Sequence, residues 1–478
     1  MSLNGIRFCL LCVLLFVPAR SRGDDESPAD SNPRRTATVR LVESALPATV
    51  TLQNVARRDD GSFRGSSGSG LVIDSRGYVL TNNHVVPGKT VRRRVVLPGG
   101  QTAGFELVAR YPFADIALVK IPKHESLRAL QIGRSHDLML GEPALVIGSP
   151  DGLTNTVSTG IVSGLQRGTN LAALGEAGLI QTSAPSGHGG SGGPLLNALG
   201  DVIGIVSSGR DHVDNVTFAI PADRIRLSFP EMLSVEARFG FHLGMTVDML
   251  AEQAVVESVE ADSPAEAAGL KAQDIVTQIG EREVGSGLSF WLALVDSKAD
   301  DAVTFDIQRG DEEKQVEIKL GTHKRWPSAD EPADLASGLH ANVYEGLWER
   351  LPDFEKLESV EQAVAKTVTL HVTERREHVG IVYEGFVKVP HDGLYLFGLT
   401  SDDGSRLIID GKTVVDLDGD HPAIEHGTQL SLDAGLHELR IEFFEAEGKE
   451  VLEVSVQSDR VPPQPLPADW LFHSPTEQ

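Results

Sequence analysis

Short apolar runs, cut at brief intervals by Gly, Asn and Asp, govern what this chain can fold into. VRLV, ATVTLQ, GLVI, YVLT, RRVVL, PALVIG, VIGIV and VTFAI follow one another between residues 39 and 220. Runs of this length, rich in β-branched residues and bounded by turn formers, read as strands rather than helices. They predict an all-β domain over residues 41–233, long enough for two six-stranded barrels with a cleft between them. PADRIRLSFPEML (221–233) reads as a short closing helix. At 478 residues the chain exceeds what one core supports, so two to four domains are expected.

Three segments inside that β region carry chemistry. LTNNHVV holds His84, FADIALVKI holds Asp115 and GGSGGPLLN holds Ser191. A serine hydroxyl is a poor nucleophile until an imidazole takes its proton. The imidazole in turn needs a carboxylate to fix its tautomer and stabilise its charged form. Glycines flank the serine because backbone N–H groups must approach a developing oxyanion unobstructed. The three residue types in this order point to His84 as general base, Asp115 as its orienter and Ser191 as nucleophile.

GSGLVIDSRGYVLTNNHVV (68–86), ADIALVKI (114–121) and QTSAPSGHGGSGGPLLN (181–197) resemble the histidine, aspartate and serine segments of the high-temperature-requirement (HtrA/Deg) branch of chymotrypsin-like serine proteases. The resemblance implies a double β-barrel, an oxyanion hole from the N–H groups of Gly189 and Ser191, and peptide-bond hydrolysis without a cofactor. It also implies a specificity pocket at Pro185, Ser186 and Gly187. Pro185 stands where enzymes that cut after Lys or Arg carry an aspartate. An uncharged pocket does not compensate for desolvating a cation, so cuts after small or medium apolar residues are expected. The chain departs from the family pattern at Gly190, where asparagine is usual, at Gly187 and His188, and at Ser183, where aspartate is common. Added glycines loosen the loop, each by about 0.5–1 kcal/mol relative to alanine.

Residues 235–321 resemble a PDZ domain, an α+β fold. FGFHLGM (239–245) is similar to its carboxylate-binding loop, and SPAEAAGLKAQDIVTQIG (263–280) carries a short helix ending at Gly269, with Leu270 and Ile275 directed inward. SFWLALVDS (289–297) is expected as the second helix. The resemblance implies that Phe241, Leu243, Gly244 and Phe290 receive a peptide C-terminus. After a linker at 322–337, residues 338–460 resemble the protective-antigen-type antiparallel β-sandwich. In lectin members the equivalent of Asp402-Asp403 binds calcium, which holds sugar hydroxyls. SDDGS reads equally as a plain hairpin turn. Trp470, Leu471 and Phe472 lie in a proline-rich tail (461–478) whose position the sequence leaves open.

Arg7 followed by FCLLCVLLFV (8–17) reads as a secretory signal over residues 1–23. Spanning a bilayer takes about 20 apolar residues, so this run is too short. Both cysteines, Cys9 and Cys12, fall within it, which leaves the mature chain without a disulfide. Residues 24–40 read as a polar linker. A net charge of −25 argues against nucleic acid and anionic membrane as partners. The expectation is a secreted or periplasmic endopeptidase acting on polypeptides, with trimer formation implied by the family. The alternative is a protein-binding or chaperone-like scaffold whose protease module is silent.

Overall fold

The computed structural model describes residues 32–57, 61–87, 90–149, 153–167, 178–209, 215–332, 334–421, 423–446 and 450–475. The apolar run at 8–17 therefore lies outside the described residues, as do residues 24–31 of the expected linker, whose end at 37–40 is helical instead. Among the described residues no helix is long and apolar enough to cross a membrane.

The protease region is two β units. The C-terminal unit is a closed barrel of six strands, among them Pro143–Gly148, Thr156–Arg167, Pro194–Leu196 and Thr217–Pro221. The N-terminal unit is a sheet of seven strands rather than the expected six, because the two-residue strand Thr102–Ala103 adds an edge. Strands Phe63–Asp74 and Tyr78–Asn82 form a hairpin at Ser75-Arg76-Gly77, where the Gly77 N–H donates to Asp74 O at 2.9 Å. Gly77 has φ +99°, and a Cβ there would lie 2.3 Å from Ile121 O. The first run, VRLV, is helical and not a strand. It lies in the helix Ala37–Ala45, which Thr36 caps by accepting the Val39 N–H. Capping and the local spacing outweigh the β-branched composition there.

The closing helix spans Ala222–Leu233 and buries Ile225, Phe229 and Met232. Beyond the short helix Val235–Phe239 comes the PDZ-like module. Its four-stranded sheet contains the hairpin Ala302–Arg309 and Glu312–Lys319, paired from Ala302↔Lys319 to Arg309↔Glu312. The helix Pro264–Ala267 precedes Gly269, and Leu270 is buried. Ile275 is only half-buried. Val276 and Ile279 enter the core instead, because the register of strand Ile275–Ile279 shifts between Val276 and Gln278. The second helix runs Gly287–Leu294, capped by Ser286.

The C-terminal domain is a sandwich of an eight-stranded and a four-stranded sheet. Strands Val379–Val389 and Gly435–Glu445 pair along their whole length in the larger sheet. Tyr383, Tyr395, Phe397 and Phe443 fill the space between the sheets. The residues expected as a tail complete the fold. Strand Leu471–His473 pairs with Phe386 and Val387, and Trp470 meets the Tyr395 ring edge-on at 6.3 Å. The expected linker is also anchored, since the Trp326 N–H donates to Ser431 O at 2.8 Å.

The four-stranded sheet turns its outer face to the protease. Leu396 joins the protease core, and Gln429 bonds Arg238 at 3.2 Å. Glu425 and Glu453 both pair with Thr400, one from each side, so they share a face. Burial first and Glu453 second push the Glu425 carboxyl up to about 7. The folded chain holds a proton that the unfolded chain releases near 4.5, so Glu425 lowers stability as pH rises from about 4.5 to about 7. Glu425→Gln should melt above wild type at pH 8, by about 2–4 °C for a gain of ~1 kcal/mol. The difference should vanish near pH 4. Melting curves across that range check both points.

Candidate active site

His84 sits in the single 3₁₀ turn Asn83–Val85 that follows strand Tyr78–Asn82. The turn is held from strand Thr49–Arg57 by Asn54, whose side-chain amide donates to Val85 O at 2.7 Å. Asp115 ends a second 3₁₀ turn, Pro112–Ala114, in the left-handed conformation with φ +49°. This backbone, uncommon for a residue with a side chain, aims the carboxylate at the histidine. Asp115 Oδ2 lies 2.7 Å from His84 Nδ1, and Oδ1 accepts the His84 backbone N–H at 3.0 Å. The Asp115 side chain is mostly buried, whereas half of the His84 ring surface is open. A half-exposed imidazole held through Nδ1 is able to exchange a proton.

Ser191 lies in the turn before strand Pro194–Leu196. Its hydroxyl donates to Ser207 O at 2.5 Å, and Ser207 Oγ donates to Asp115 Oδ2 at 3.2 Å. One residue thus touches both the serine and the aspartate. Among the described residues, no acceptor is found for the N–H groups of Gly189 and Ser191, the expected oxyanion hole. Gly192 has φ +88°, and a Cβ there would lie 2.0 Å from Ser69 O. At Gly190, the position usually held by asparagine, a Cβ would lie 2.0 Å from Ser186 Oγ. The glycine matches this tighter loop. His188 is exposed at the rim. Pro185 O accepts the Ser158 hydroxyl at 2.6 Å, and no charged side chain is among Pro185, Ser186 and Gly187.

Sequence reasoning missed Ser69 and Ser207. The Ser69 N–H donates to Ser191 O at 2.7 Å, and its hydroxyl donates to Gly189 O at 2.8 Å. That hydroxyl also accepts the Ser149 N–H at 2.9 Å. A side chain of the N-terminal sheet thereby orients the serine loop of the barrel. The GSSGSG run around Ser69, so rich in small polar residues for a strand, was the available signal.

Elsewhere the expected sites look different. Phe241, Leu243 and Phe290 are fully buried, so their side chains belong to the core and not to an open groove. The second helix crosses close to the strand Met245–Val247, with Trp291 Nε1 donating to Val247 O at 2.9 Å. The loop N–H of Leu243 is already engaged, by Glu236 Oε1 at 2.7 Å. In the sandwich, Asp402 Oδ2 accepts the Ala423 N–H at 3.1 Å, while Asp403 accepts those of His421 and Ala446 at 3.2 and 2.9 Å. These carboxylates tie loops together. Among the described residues no group of three or more His, Cys, Asp or Glu could hold a metal ion.

A histidine–aspartate pair and a serine in a glycine-rich turn, at the junction of two β units, define a trypsin-like serine peptidase. Comparison with known proteins agrees. Residues 68–205 match the trypsin-like peptidase domain, 242–320 the PDZ domain and 337–470 the PA14 domain. The chain is 32% identical over 319 residues to Protease Do-like 1, chloroplastic, of Arabidopsis thaliana, covering 59% of this chain and 71% of that protein. It is 33% identical over 322 residues to serine protease Do-like HtrA of Bacillus subtilis, covering 59% and 72%. With bovine mitochondrial serine protease HTRA2 it shares 34% over 307 residues, covering 57% and 64%. The chain belongs to the HtrA/Deg family of serine proteases and is a serine endopeptidase.

Ser69→Ala removes the hydroxyl that fixes Gly189 O while leaving the backbone pairing to Ser191 in place. The variant should fold and lose about tenfold to a hundredfold in kcat, as loops misplaced near the chemistry do. Peptide hydrolysis beside a wild-type melting curve checks this.

Proposed function

We propose that His84, Asp115 and Ser191 carry out peptide-bond hydrolysis through an acyl-enzyme on Ser191. The 2.7 Å contact between His84 Nδ1 and Asp115 carries the reading. An imidazole held through Nδ1 uses Nε2 as the base that takes the Ser191 proton and returns it to the leaving amine. To do so the Ser191 hydroxyl leaves Ser207 O and turns to the imidazole. The free N–H groups of Gly189 and Ser191 then hold the oxyanion. The uncharged Pro185–Gly187 segment supports cleavage after small or medium apolar residues in unfolded or exposed polypeptide. The apolar run behind Arg7 supports export to a periplasmic or extracellular space, and family membership supports trimer assembly. Glycan targeting through calcium has no such support, given how Asp402 and Asp403 are used.

The PDZ module supports capture of peptide C-termini, on one condition. Glu236 comes from the helix Val235–Phe239, just ahead of the loop, and its carboxylate accepts the Leu243 N–H at 2.7 Å, close by Gly244. The amides of this loop are the ones a peptide's terminal carboxylate would use. Burial pushes the Glu236 carboxyl up, while the amides and His242, 3.7 Å away, draw it back down. An internal carboxylate thus holds the loop, and an incoming C-terminus displaces it.

Two experiments test these readings. Ser191→Ala should lower casein cleavage by about 10⁶ and abolish fluorophosphonate labelling. A variant that kept more than a few per cent of the wild-type rate would overturn the assignment of Ser191, and wild-type protein that resists fluorophosphonate labelling would favour the silent-scaffold alternative. The wild-type fragments, read by mass spectrometry, should end mainly in Val, Ala or Leu. Glu236→Ala should tighten binding of a peptide with a free apolar C-terminus by about tenfold, or ~1.4 kcal/mol. The C-terminally amidated peptide should gain nothing. Calorimetry showing equal gains for acid and amide would remove Glu236 as the competitor.

A further inference from the structure

The residue before the catalytic turn and the turn itself are gripped from outside the protease. Tyr111 OH donates to Gly427 O of the sandwich at 2.9 Å. Phe113, in the 3₁₀ turn that ends at Asp115, lies against the same sheet where two glycines make room for it. A Cβ on Gly398 would lie 2.6 Å from Phe113 Cζ, and one on Gly427 would lie 2.0 Å from Phe113 Cε2. Gly398 and Gly427 pair directly across strands Gly393–Asp402 and Ile424–Leu432. Together they form a flat seat in the outer face of the sheet. Tyr111 and Phe113 meet edge-on at 5.4 Å, so the two anchors brace each other. From the other side Arg224 of the closing helix donates to Phe113 O at 2.8 Å. Inside this grip the Asp115 N–H closes the turn on Pro112 O at 2.8 Å.

We propose that the C-terminal sandwich is a positioning element of the protease, seating Phe113 so that Asp115 holds His84 in register. The proposal rests on the assignment of Asp115 and His84 given above. Its physical basis is the left-handed Asp115 backbone, with φ +49°. A residue with a side chain keeps that conformation when its surroundings over-determine it. Here those surroundings are the Phe113 seat, the Arg224 bond and the bonds that Asp115 O accepts from the Asn83 N–H at 3.0 Å and Asn82 Nδ2 at 3.1 Å, and the sandwich supplies the seat. Loss of the seat lets the turn relax and carries the carboxylate off Nδ1, and a displacement of about 1 Å at such a group costs on the order of 10²-fold in rate. Phe113 and the two glycines touch no reacting atom and act only through Asp115.

The test uses full-length protein. Phe113→Ala empties the seat. Gly398→Ala crowds it from the sandwich, where the new methyl meets Phe113 and the Ser455 hydroxyl. Rates are expressed per active site, counted by exhaustive fluorophosphonate labelling, so that misfolded molecules drop out. Both variants should show kcat lowered by about 10- to 100-fold with KM within about twofold. The acid limb of the pH profile should move to lower pH, since His84 without its carboxylate holds a proton less firmly. Phe113→Leu should restore most of the rate. Unchanged kcat per site and an unmoved acid limb in both variants would overturn the proposal. Wild-type protein that resists labelling at Ser191 would instead overturn the assignment beneath it.

Discussion

The junction between the two β units of the protease depends on Ser69. Its N–H, carbonyl and hydroxyl are all used: the N–H on Ser191 O, the hydroxyl on Gly189 O and Ser149 N, the carbonyl on the Thr81 hydroxyl at 2.7 Å. All these groups are buried or nearly so, where an unmade bond costs about 1–3 kcal/mol. The sheet that carries His84 and the barrel that carries Ser191 are thereby joined at one short residue. A larger residue would collide with the serine loop, and one without a hydroxyl would leave Gly189 O unheld. The Gly192 backbone, closed against Ser69 O, is the other half of the same constraint.

Acidic side chains turn inward at several joints of this chain of net charge −25. Glu236 satisfies the PDZ loop, Asp403 joins two sandwich loops and Asp223 accepts the Ser135 N–H at 3.1 Å. A carboxylate accepting backbone N–H groups is stabilised without a cationic partner. Surface acidity and internal stapling therefore draw on the same residue types. Composition alone cannot separate them.

Much of the protease was legible in the sequence because its signals are local. The Ser75-Arg76-Gly77 turn, the strand alternation and the glycine-flanked serine each follow from steric rules over a few residues. The helix at 37–45 was misread since VRLV satisfies both periods and only Thr36 decides between them. Leu243 and Phe290 were read as groove residues from their place in a motif, yet burial depends on how closely the second helix approaches the strand. That distance is set by Gly287, where a Cβ would lie 1.8 Å from Asp248 O.

By itself the sequence determined the order of the modules, their β character and the choice of His84, Asp115 and Ser191 as candidate residues, since these follow from residue type and near neighbours. Tertiary structure alone decided that Ser207 touches both Ser191 and Asp115, that Glu236 fills the PDZ loop, and that Phe113 reaches Gly398 and Gly427. The last of these contacts spans some three hundred residues of chain, as does Tyr111 OH to Gly427 O with a separation of 316. No local pattern encodes such a pairing. It exists only once two separately built surfaces meet, and their fit depends on side chains that are absent from the sheet as much as on the ring that enters it.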